Sequence, residues 1–463
     1  MQKVFDEVNS FDQKCYEVYH LNEDLLMEHA ANGMKEYIKN KFSKNSKILI
    51  VCGNGNNGAD GMALARLLSC DYEVEVFLHG TVKNRLPKIQ IKRAKSVGIK
   101  FIEHFTQSYD VVVDCLFGSG LNRDLSDELG ELITILNNIE GFKIACDIPS
   151  GVQNDGKVCT NAFFADVTLT MGALKKSMFL DMAKEFIGDI EVLDLGVGRS
   201  KYESKTKTYL LEKSDLELPK RDKKDTHKGS FGHLAIILGE KEGASILAAQ
   251  AGFKLGSGLV SLVGHKKTSC ESYIMQSHFL PENTTAIAIG MGLGNYEQNE
   301  IHQLLETSIP KVIDADLFYS EDILKALNQD RIILTPHPKE FCSLLKVCGL
   351  ADISVDELQS KRFFFVNMFC ETYPNIVLVL KGANVLIGNN ETIYINPYGN
   401  SRLSFGGSGD VLAGFIASLL AQGLTELEAA TQGSLIHTMV ARKSDKNSFS
   451  LTPNDLIEGV CYL

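Results

Sequence analysis

Short runs of apolar, β-branched residues alternate with helical patterns along most of the 463-residue chain. Within the first 200 residues, strands are predicted at 48–52, 74–78, 111–113, 144–146, 167–170 and 190–193, and helices at 58–69, 87–97 and 125–138. This alternation is typical of a parallel sheet with helices on both faces, where ligands collect at the carboxyl ends of the strands. The sequence therefore predicts an α/β fold with its sites at strand ends.

A lysine-rich segment, residues 199–228, interrupts the alternation and is interpreted as a solvated connector. After it, strands are predicted at 234–238, 259–263, 286–289, 312–313, 332–334 and 377–380. Helices are predicted at 244–255, 297–307, 320–328, 338–346, 354–371, 409–421 and 426–442, with a hairpin that turns at Asn389 and Asn390. We therefore expect two tandem α/β domains, 1–203 and 204–463.

The overall charge argues against nucleic acid or a membrane as a partner. Lysine and arginine number 47 against 58 aspartates and glutamates, which gives a net charge of −11. The eleven cysteines form no C-x-x-C pair, so they are expected to be reduced thiols rather than a disulfide or zinc framework. No apolar run reaches the roughly 18 residues of a membrane span. These features predict a cytoplasmic protein.

The segment VCGNGNNGADGMALARLL, residues 51–68, passes from a strand through glycines into a helix. Its glycines match the G-x-G-x-x-G fingerprint of dinucleotide-binding folds, and Glu73 or Glu75 could supply the acid that a dehydrogenase also needs. The polar filling of this loop is distinctive: Asn54, Asn56, Asn57 and Asp60. Amide and carboxylate groups of this kind suit a ribose, an amide or a hard cation.

Two further strand ends of the first domain carry acids. Asp114 ends the strand of VVVDCLFGSGLNRD, and Asp147 ends that of CDIPSGV, where Ser150 follows. Each residue alone could be a helix cap or a turn residue. Because three neighbouring strand ends all carry carboxylate or amide oxygens, we expect them to share one site.

The second domain repeats this pattern of strand ends. Glycine turns occur in HKGSFGH and IGMGLG, and IDADLF ends a strand with Asp314 and Asp316. In TPHPKEF, His337 lies between prolines that stiffen the turn. A histidine in a turn can have a purely structural role, but its neighbours favour contact with a ligand.

The segment FGGSGDVLAGFIASLL, residues 405–420, is the most informative of the second domain. Gly406, Gly407 and Gly409 precede a helix whose free N–H groups form an anion hole, with Asp410 in its first turn. The alternative for Asp410 is an N-cap. Phosphoryl transfer would use the hole for the transferred group and Asp410 for the proton of the attacking hydroxyl. Upstream, Lys381 in VLKGANVLIG suits a nucleotide phosphate or ribose.

Two sets of motifs carry a resemblance to one family. NNGADG, VDCLFGSGLNR and DIPSGV together resemble the epimerase domain of the bifunctional NAD(P)H-hydrate repair enzymes. GGSGD, with HKGSFGH, IGMGLG, DADLF, TPHPKEF and LKGANV, is similar to the ADP-dependent NAD(P)H-hydrate dehydratase domain of the same family. The resemblance implies a Rossmann-like αβα domain followed by a ribokinase-like domain. It also implies that the enzyme epimerises the R and S hydrates and dehydrates the S hydrate with ADP.

The same resemblance implies roles for individual residues. It makes Asp147 and Asp410 the catalytic residues, each also in contact with the hydrate. Further hydrate contacts would be Asn56, Asn57, Gly58, Ala59, Asp60, Gly118, Ser119, Gly120, Leu121, Asn122, Arg123 and Asp124 in the first domain, and Ala244, Gly292 or Gly294, and His337 in the second. Potassium would bind Asn57, Asp114 and Ser150. ADP, with Mg²⁺ bridging its phosphates, would contact Lys381, Gly382, Ala383, Asn384, Val385 and Gly409.

Some positions depart from the family pattern. The proline of an Ala-Pro-Lys signature is Leu174, the threonine of K-G-x-x-T is Val385, the glycine after TPHP is Lys339, and the residues before the glycine run are Leu403, Ser404 and Phe405. The sequence leaves the choice between ADP and ATP open, and likewise that between NADPH hydrate and NADH hydrate. We expect a homo-oligomer. The alternatives are a ribokinase-like small-molecule kinase with a nucleotide-sensing N-terminal domain, or a sensing module without catalysis.

Overall fold

The computed structural model describes all 463 residues, which divide into two compact units. One unit is Lys3–Thr206, and the other is Lys207–Leu463 together with Met1–Gln2. We call these the first and the second unit. Each builds a sheet that is mainly parallel. No helix of the chain is both long and apolar enough to cross a membrane.

The secondary structure of the first unit starts with a short strand and two helices. Its strands are β1 (Gln2–Phe5), β2 (Lys47–Cys52), β3 (Glu73–Leu78), β4 (Lys100–Ile102), β5 (Ser108–Cys115), β6 (Glu140–Cys146), β7 (Val167–Met171), β8 (Leu174–Lys175) and β9 (Asp189–Leu193). Its helices are α1 (Asn9–Glu17), α2 (Glu23–Lys41), α3 (Asn56–Leu68), α4 (Arg85–Ser96), α5 (Asp127–Asn138), α6 (Lys184–Ile187) and α7 (Arg199–Tyr202).

Seven parallel strands form the sheet of the first unit, in the order β4-β3-β2-β5-β6-β7-β9. Successive residues of β2 point to opposite faces, so Ile48 and Ile50 join one apolar cluster and Leu49 and Val51 join the other. Because β2 is followed by β3 on one side and by β5 on the other, the strand order reverses between β2 and β5. Such a switch point opens a crevice at the carboxyl ends of the strands.

The second unit has its own set of elements. Its strands are β10 (Thr208–Leu210), β11 (His233–Ile237), β12 (Leu259–Val263), β13 (Met275–Ser277), β14 (Ala286–Ile289), β15 (Lys311–Ile313), β16 (Ile332–Leu334), β17 (Ile376–Leu380), β18 (Val385–Asn389) and β19 (Thr392–Asn396). Its helices are α8 (Glu242–Lys254), α9 (Gln298–Glu306), α10 (Ile323–Leu327), α11 (Pro338–Val347), α12 (Val355–Ser360), α13 (Arg362–Thr372), α14 (Ser408–Ala421), α15 (Glu426–Lys443) and α16 (Pro453–Gly459).

The sheet of the second unit runs β13-β12-β11-β14-β15-β16-β17-β18-β19-β10. The strands from β13 to β17 are parallel, and β18 pairs antiparallel with both of its neighbours. Helix α14 is apolar almost all round because it packs against both α8 and α15 as well as the sheet. Here the strand order reverses at β11, between β12 and β14.

Most predicted elements are confirmed within a few residues, and the hairpin turns at Asn390 with a φ of +53°. Two predictions are wrong. Part of the expected connector is strand β10, which pairs with β19 and buries Thr208 and Leu210. The single helix expected at 354–371 is two helices, because Lys361 leaves the helical region with a φ of −135°.

Candidate active sites

The glycine-rich loop after β2 is shaped by close backbone contacts. A Cβ at Gly53 would overlap the Leu116 carbonyl, and one at Gly58 would overlap the Gly53 carbonyl. Gly55 caps α3 without a side chain, and its own carbonyl accepts a hydrogen bond from the N–H of Ala59. Two of the three glycines are therefore needed to fold the loop tightly. The loop leaves the first turn of α3 at the crevice between β2 and β5.

Asp114 and Ser150 form a buried pair at the ends of β5 and β6. The Asp114 carboxylate accepts hydrogen bonds of 2.7 Å from both the backbone N–H and the hydroxyl of Ser150, and one of 3.1 Å from the N–H of Leu116. Burial raises the pKa of Asp114 to about 6, although these hydrogen bonds oppose the shift. The Asn57 side chain leaves its buried amide nitrogen without a partner. The three predicted potassium ligands thus combine a carboxylate, a hydroxyl and an amide at one edge of the sheet.

Asp147 combines an unusual backbone conformation with a buried ion pair. Its φ of +71° lies in the left-handed region, which is rare outside glycine and common at functional sites. One carboxylate oxygen accepts a hydrogen bond of 2.9 Å from the Ser119 N–H, and the other lies 2.7 Å from the Lys175 ammonium. Burial alone would raise the pKa of Asp147, but the Lys175 charge and these hydrogen bonds give a net lowering. Asp147 is therefore kept ionised.

A small acidic cavity of about 110 Å³ lies beside this pair. Asp12 and Tyr16 of α1, Asn56 and Asp60 of α3, and Met171 are among its lining residues. Burial, together with the charges of Asp147 and Asp12, raises the pKa of Asp60 well above its usual value. A carboxyl that favours its neutral form thus neighbours one that is kept ionised.

The loop from Gly118 to Asp124 begins beside Asp147. A Cβ at Gly118 would come within 2.9 Å of Asp147 Oδ2, so this stretch lies against the Asp147 carboxylate. Leu121 is buried, and its N–H donates to the Gly118 carbonyl. The Asp124 carboxylate accepts a hydrogen bond from the Gln153 amide. The remaining predicted contacts of this loop are at least partly exposed: Ser119, Gly120, Asn122 and Arg123.

In the second unit, the N-terminus of α14 faces a lysine. Gly407 caps this helix with a φ of +95°, and a Cβ there would press on Leu247 and Pro453. The buried His437 ring lies 3.0 Å from the Ser408 carbonyl, and burial lowers its pKa to about 4, so the neutral imidazole donates this hydrogen bond. A Cβ at Gly409 would lie 3.3 Å from Lys381 Nζ. Two predicted nucleotide contacts therefore meet at the helix N-terminus.

Lys381 interacts with three carboxyl groups, those of Asp314, Glu340 and Asp410. Its ammonium lies 2.8 Å from Asp314 Oδ1 and 3.9 Å from Glu340 Oε2. Burial and the charges of Asp314 and Asp316 raise the pKa of Asp410 to about 6, against the opposing charge of Lys381. Burial likewise raises the pKa of Glu340 to about 7. The negative charge here exceeds what one lysine neutralises, which suits a site for Mg²⁺ and a nucleotide.

Asp410 has no capping role. It lies in the first turn of α14, and neither the cap residue nor any other side chain makes a capping hydrogen bond there. Its carboxylate is thus available at the anion hole, as phosphoryl transfer requires.

His337 has a structural role as well as an exposed edge. Its Nδ1 accepts a hydrogen bond of 3.2 Å from the backbone N–H of Glu340. The backbone N–H of His337 in turn donates to Glu340 Oε2, which completes a capping box at the start of α11. Burial and the charge of Lys381 lower the pKa of His337. With about 45% of its side chain exposed, the neutral ring can still meet a ligand.

The glycine turn after β14 brings the other predicted hydrate contacts together. Gly292 and Gly294 have φ values of +60° and +63°. A Cβ at Gly292 would lie 3.1 Å from the Ala244 Cβ. The N–H of Gly294 donates to Asp316 Oδ2 over 2.9 Å, which ties this turn to the acids around Asp410.

The remaining predicted nucleotide contacts follow Lys381 along the chain. Gly382 and Ala383 are partly exposed, whereas Asn384 and Val385 are buried. The Val385 side chain packs in the main apolar cluster, which accounts for the absence of a hydroxyl at this position. The fully buried Arg362 donates a hydrogen bond of 3.1 Å to the Lys381 carbonyl and so supports this turn.

Sequence reasoning left Glu340 out of the site and gave Lys175 no firm role. Glu340 had a detectable signal, because a histidine N-cap three residues before a glutamate fits a capping box. Lys175 follows Leu174 as the lysine of the family signature does. Its pairing with Asp147, 28 residues earlier, leaves no pattern in the local sequence.

Both parts of the chain match known protein families. Residues 23–177 match the family described as YjeF-related protein N-terminus, and residues 234–460 match NAD(P)H-hydrate dehydratase. The bifunctional NAD(P)H-hydrate repair enzyme Nnr of Helicobacter pylori is 41% identical over 477 residues, covering 100% of both chains. That of Coxiella burnetii is 34% identical over 455 residues, covering 92% of this chain and 91% of its own.

A solved structure is also similar to part of the chain. The ADP/ATP-dependent NAD(P)H-hydrate dehydratase from Bacillus subtilis, co-crystallized with ATP/Mg²⁺, is 25% identical with a TM-score of 0.44. The alignment covers 53% of this chain and 92% of that one.

The first α/β unit has a carboxylate and a lysine at a strand switch point. The second has a carboxylate at a glycine-rich helix N-terminus. Together they define a two-domain enzyme that acts on nucleotides. The chain belongs to the bifunctional NAD(P)H-hydrate repair enzymes. The predicted family and the predicted fold class, a Rossmann-like domain followed by a ribokinase-like domain, are confirmed. The kinase and sensor alternatives are not favoured.

Proposed function

We propose that residues 1–203 epimerise the R and S hydrates of NADH and NADPH, and that residues 204–463 dehydrate the S hydrate at the expense of ADP. The observation that carries the second activity is the meeting of Asp410, Lys381 and Gly409 at the N-terminus of α14. The first activity is supported by the buried Asp147–Lys175 pair beside the glycine-rich loop.

Epimerisation inverts a carbon that bears a hydroxyl beside a ring nitrogen. The nitrogen lone pair assists cleavage of the C–O bond, a proton goes to the departing hydroxyl, and water returns to the other face with loss of a proton. The proton for the departing hydroxyl comes from solvent. Asp147, which Lys175 keeps ionised, takes the proton that the returning water loses and releases it to solvent. The backbone of Gly118 to Asp124 and the side chains from Asn56 to Asp60 would hold the phosphates and sugars.

A potassium ion would bind through oxygen atoms of Asn57, Asp114 and Ser150. The donor set supports this proposal, because Asp114 is buried without a cationic partner and the buried Asn57 amide is not fully hydrogen-bonded. A bound cation would supply positive charge beside the hydrate's phosphates. It would also lower the pKa of Asp114 from its raised value.

In the dehydratase step, Asp410 removes the proton from the hydrate's hydroxyl, and the oxygen attacks the β-phosphorus of ADP. The bond to the AMP oxygen breaks, and the N–H groups at the start of α14 and Lys381 stabilise the negative charge on the transferred group. Phosphate then leaves with the C–O electrons, and loss of a ring proton restores NADH or NADPH. Hydroxyl is a poor leaving group, so phosphorylation makes this elimination feasible.

Mg²⁺ would come to this site with the nucleotide. No three histidine, cysteine, aspartate or glutamate side chains are arranged as a preformed metal cage. Burial, together with the neighbouring carboxylates Asp314 and Asp316, nevertheless raises the pKa values of Glu340 and Asp410. Asp316 and Glu340 are the groups best placed to meet a cation on the phosphates, where it would neutralise charge as it builds up.

A cytoplasmic homo-oligomer that acts on small molecules completes the proposal. All eleven cysteines are free thiols, and six of them are buried. This state fits a reducing compartment. The net charge of −11 argues against nucleic acid as a partner.

Product analysis tests the proposed function. Purified protein is given prepared S hydrate of NADH, ADP and Mg²⁺, and NADH, AMP and inorganic phosphate are measured over time. Equal yields of the three products are expected, and R hydrate should be consumed after conversion to S. Accumulation of a stable phosphorylated compound would instead favour a small-molecule kinase. The same assay with ATP decides between the two nucleotides.

A further inference from the structure

A cavity of about 640 Å³ opens beside the glycine turn of the second unit, and no role proposed above uses it. We call it the distal groove. The carboxyl ends of β11 and β12 and one side of α9 line it. Its apolar wall includes Ile237, Leu238, Val263, Leu293, Ile301 and Leu304. Its volume is within the range of small-molecule sites.

The distal groove borders the glycine turn of the dehydratase site. Leu293 lies between Gly292 and Gly294 and also lines the groove. Glu240, another lining residue, accepts a hydrogen bond of 3.1 Å from the N–H of Asn295. On the other side of this turn, Asp316 binds the N–H of Gly294 and raises the pKa of Asp410. The groove and Asp410 are therefore linked through one glycine turn.

The groove also lies on the side of the site away from the nucleotide residues. Lys381 follows β17, whereas the groove is at β11 and β12, and Asp314 at the end of β15 lies between them. From β15 to β12 there are three strand spacings of about 4.8 Å each. A ligand that starts at Asp410 and extends away from ADP must run along this edge of the sheet.

We propose that the distal groove binds the adenosine half of the hydrate, an inference that rests on the proposed function. The hydrate is a dinucleotide whose nicotinamide end must reach Asp410, so its second nucleoside needs a site of its own. An apolar wall with Tyr296 and Phe279 among the lining residues suits a flat base. Binding energy gained here, far from the reacting carbon, would position the hydroxyl for attack.

The charges at the groove predict a preference between the two hydrates. Glu240, Glu297 and Glu300 line it, together with His265 and His278, and no lysine or arginine does. His265 lies 2.8 Å from Glu300. The nearby Lys266 pairs instead with Glu242. The 2′-phosphate of NADPH hydrate would add negative charge among three carboxylates, so the groove favours NADH hydrate.

Charge reversal tests this preference. The kcat/KM for dehydration of both S hydrates is measured for the native enzyme, for Glu297→Lys and for the control Glu306→Lys, which lies on α9 outside the groove. The native enzyme should prefer NADH hydrate, and Glu297→Lys should shift the ratio on the order of tenfold toward NADPH hydrate. Glu306→Lys should leave the ratio unchanged. An equal shift in both variants, or none in Glu297→Lys, would overturn the proposal.

A shortened substrate tests the groove itself. The hydrate of reduced nicotinamide mononucleotide lacks the adenosine half, and Leu304→Trp fills the groove in the variant. Leu304→Trp should raise the KM for NADH hydrate about tenfold, while the KM for ADP and the kcat/KM for the mononucleotide hydrate stay as in the native enzyme. An unchanged KM for NADH hydrate in Leu304→Trp overturns the proposal. If the native enzyme recovers no NADH at all, the proposed function fails instead.

Discussion

The two proposed catalytic carboxylates, Asp147 and Asp410, are both largely buried, yet their surroundings differ in the sign of the charge. Asp147 touches the Lys175 ammonium, and its pKa is lowered. Burial and the acidic neighbours Asp314 and Asp316 raise the pKa of Asp410 to about 6, against the opposing charge of Lys381. The difference fits the two reactions. A carboxylate that must recover its charge after every reversible proton exchange benefits from a permanent cation, whereas a general base works best with a pKa near the working pH.

The variant Asp410→Asn should separate the two activities most clearly. General-base catalysis contributes about 10²–10⁴-fold, so NADH recovery from S hydrate should fall by about 10³-fold. Interconversion of R and S hydrate, followed by chromatography, should remain at the native rate. If Asp410→Asn slowed both reactions equally, the two sites would not be independent catalysts.

Asp147→Asn should give the opposite pattern with a somewhat smaller effect. Loss of the carboxylate removes the proton acceptor but leaves the loop and Lys175 in place, so epimerisation should fall by about 10²–10³-fold. Dehydration of pure S hydrate should be unaffected, and R hydrate should remain unused. Retention of epimerase activity would exclude Asp147 as the base.

How well the sequence predicted a part of these sites depends on how far apart in the chain the contacting residues are. The glycine loops, the strands that end at Asp114 and Asp147, and the helix that starts beside Asp410 were found because local patterns define them. Helix α2 carried the same kind of signal, an Asn22 cap and a spaced apolar face, and was missed.

The remaining features depend on long-range packing, which periodicity does not report. Strand β8 has two residues and forms only against β1, more than 160 residues earlier in the chain. That pairing positions Lys175, whose ammonium then reaches Asp147. Likewise, Asp12 meets Asp60 in one cavity only after α1 folds onto the unit. In these cases the chemistry depends on tertiary structure rather than on a motif.

Lys175→Met tests whether the cation causes the difference between the sites. Without the ammonium, the pKa of Asp147 should rise, so the acidic limb of the epimerase pH profile should move to higher pH. At neutral pH the rate should fall by about 10²-fold. Breaking a buried pair on one side costs about 3–5 kcal/mol, whereas replacing both partners is far milder.

The double variant Asp147→Asn with Lys175→Met controls for misfolding. Its free energy of unfolding should lie closer to the native value than that of Lys175→Met alone. A double variant less stable than Lys175→Met would show that the pair does not interact as the structure indicates.

Lys381→Met tests the role of the cation at the second site, where the expected change in KM is about tenfold. Its ammonium is the cation beside Gly409, so its loss should raise the KM for ADP about tenfold. Because Lys381 also lowers the pKa of Asp410, the acidic limb of dehydration should move to higher pH. The KM for NADH hydrate should change less than the KM for ADP. A larger change for the hydrate would place the lysine at the other substrate.

The smallest expected effect belongs to Asp316→Asn, which removes a negative charge near Asp410 but keeps an oxygen for the N–H of Gly294. Burial, Asp314 and Asp316 all raise the pKa of Asp410, so this variant should lower it by about half a unit. Asp410 must be ionised to act as a base, and dehydration is therefore lost as pH falls through about 6 in the native enzyme. In Asp316→Asn that loss should occur at lower pH, while the exposed control Asp356→Asn should match the native profile. A shift to higher pH, or none, would mean that the acids around Asp410 do not set its pKa, and the contrast with Asp147 would then rest on Lys175 alone.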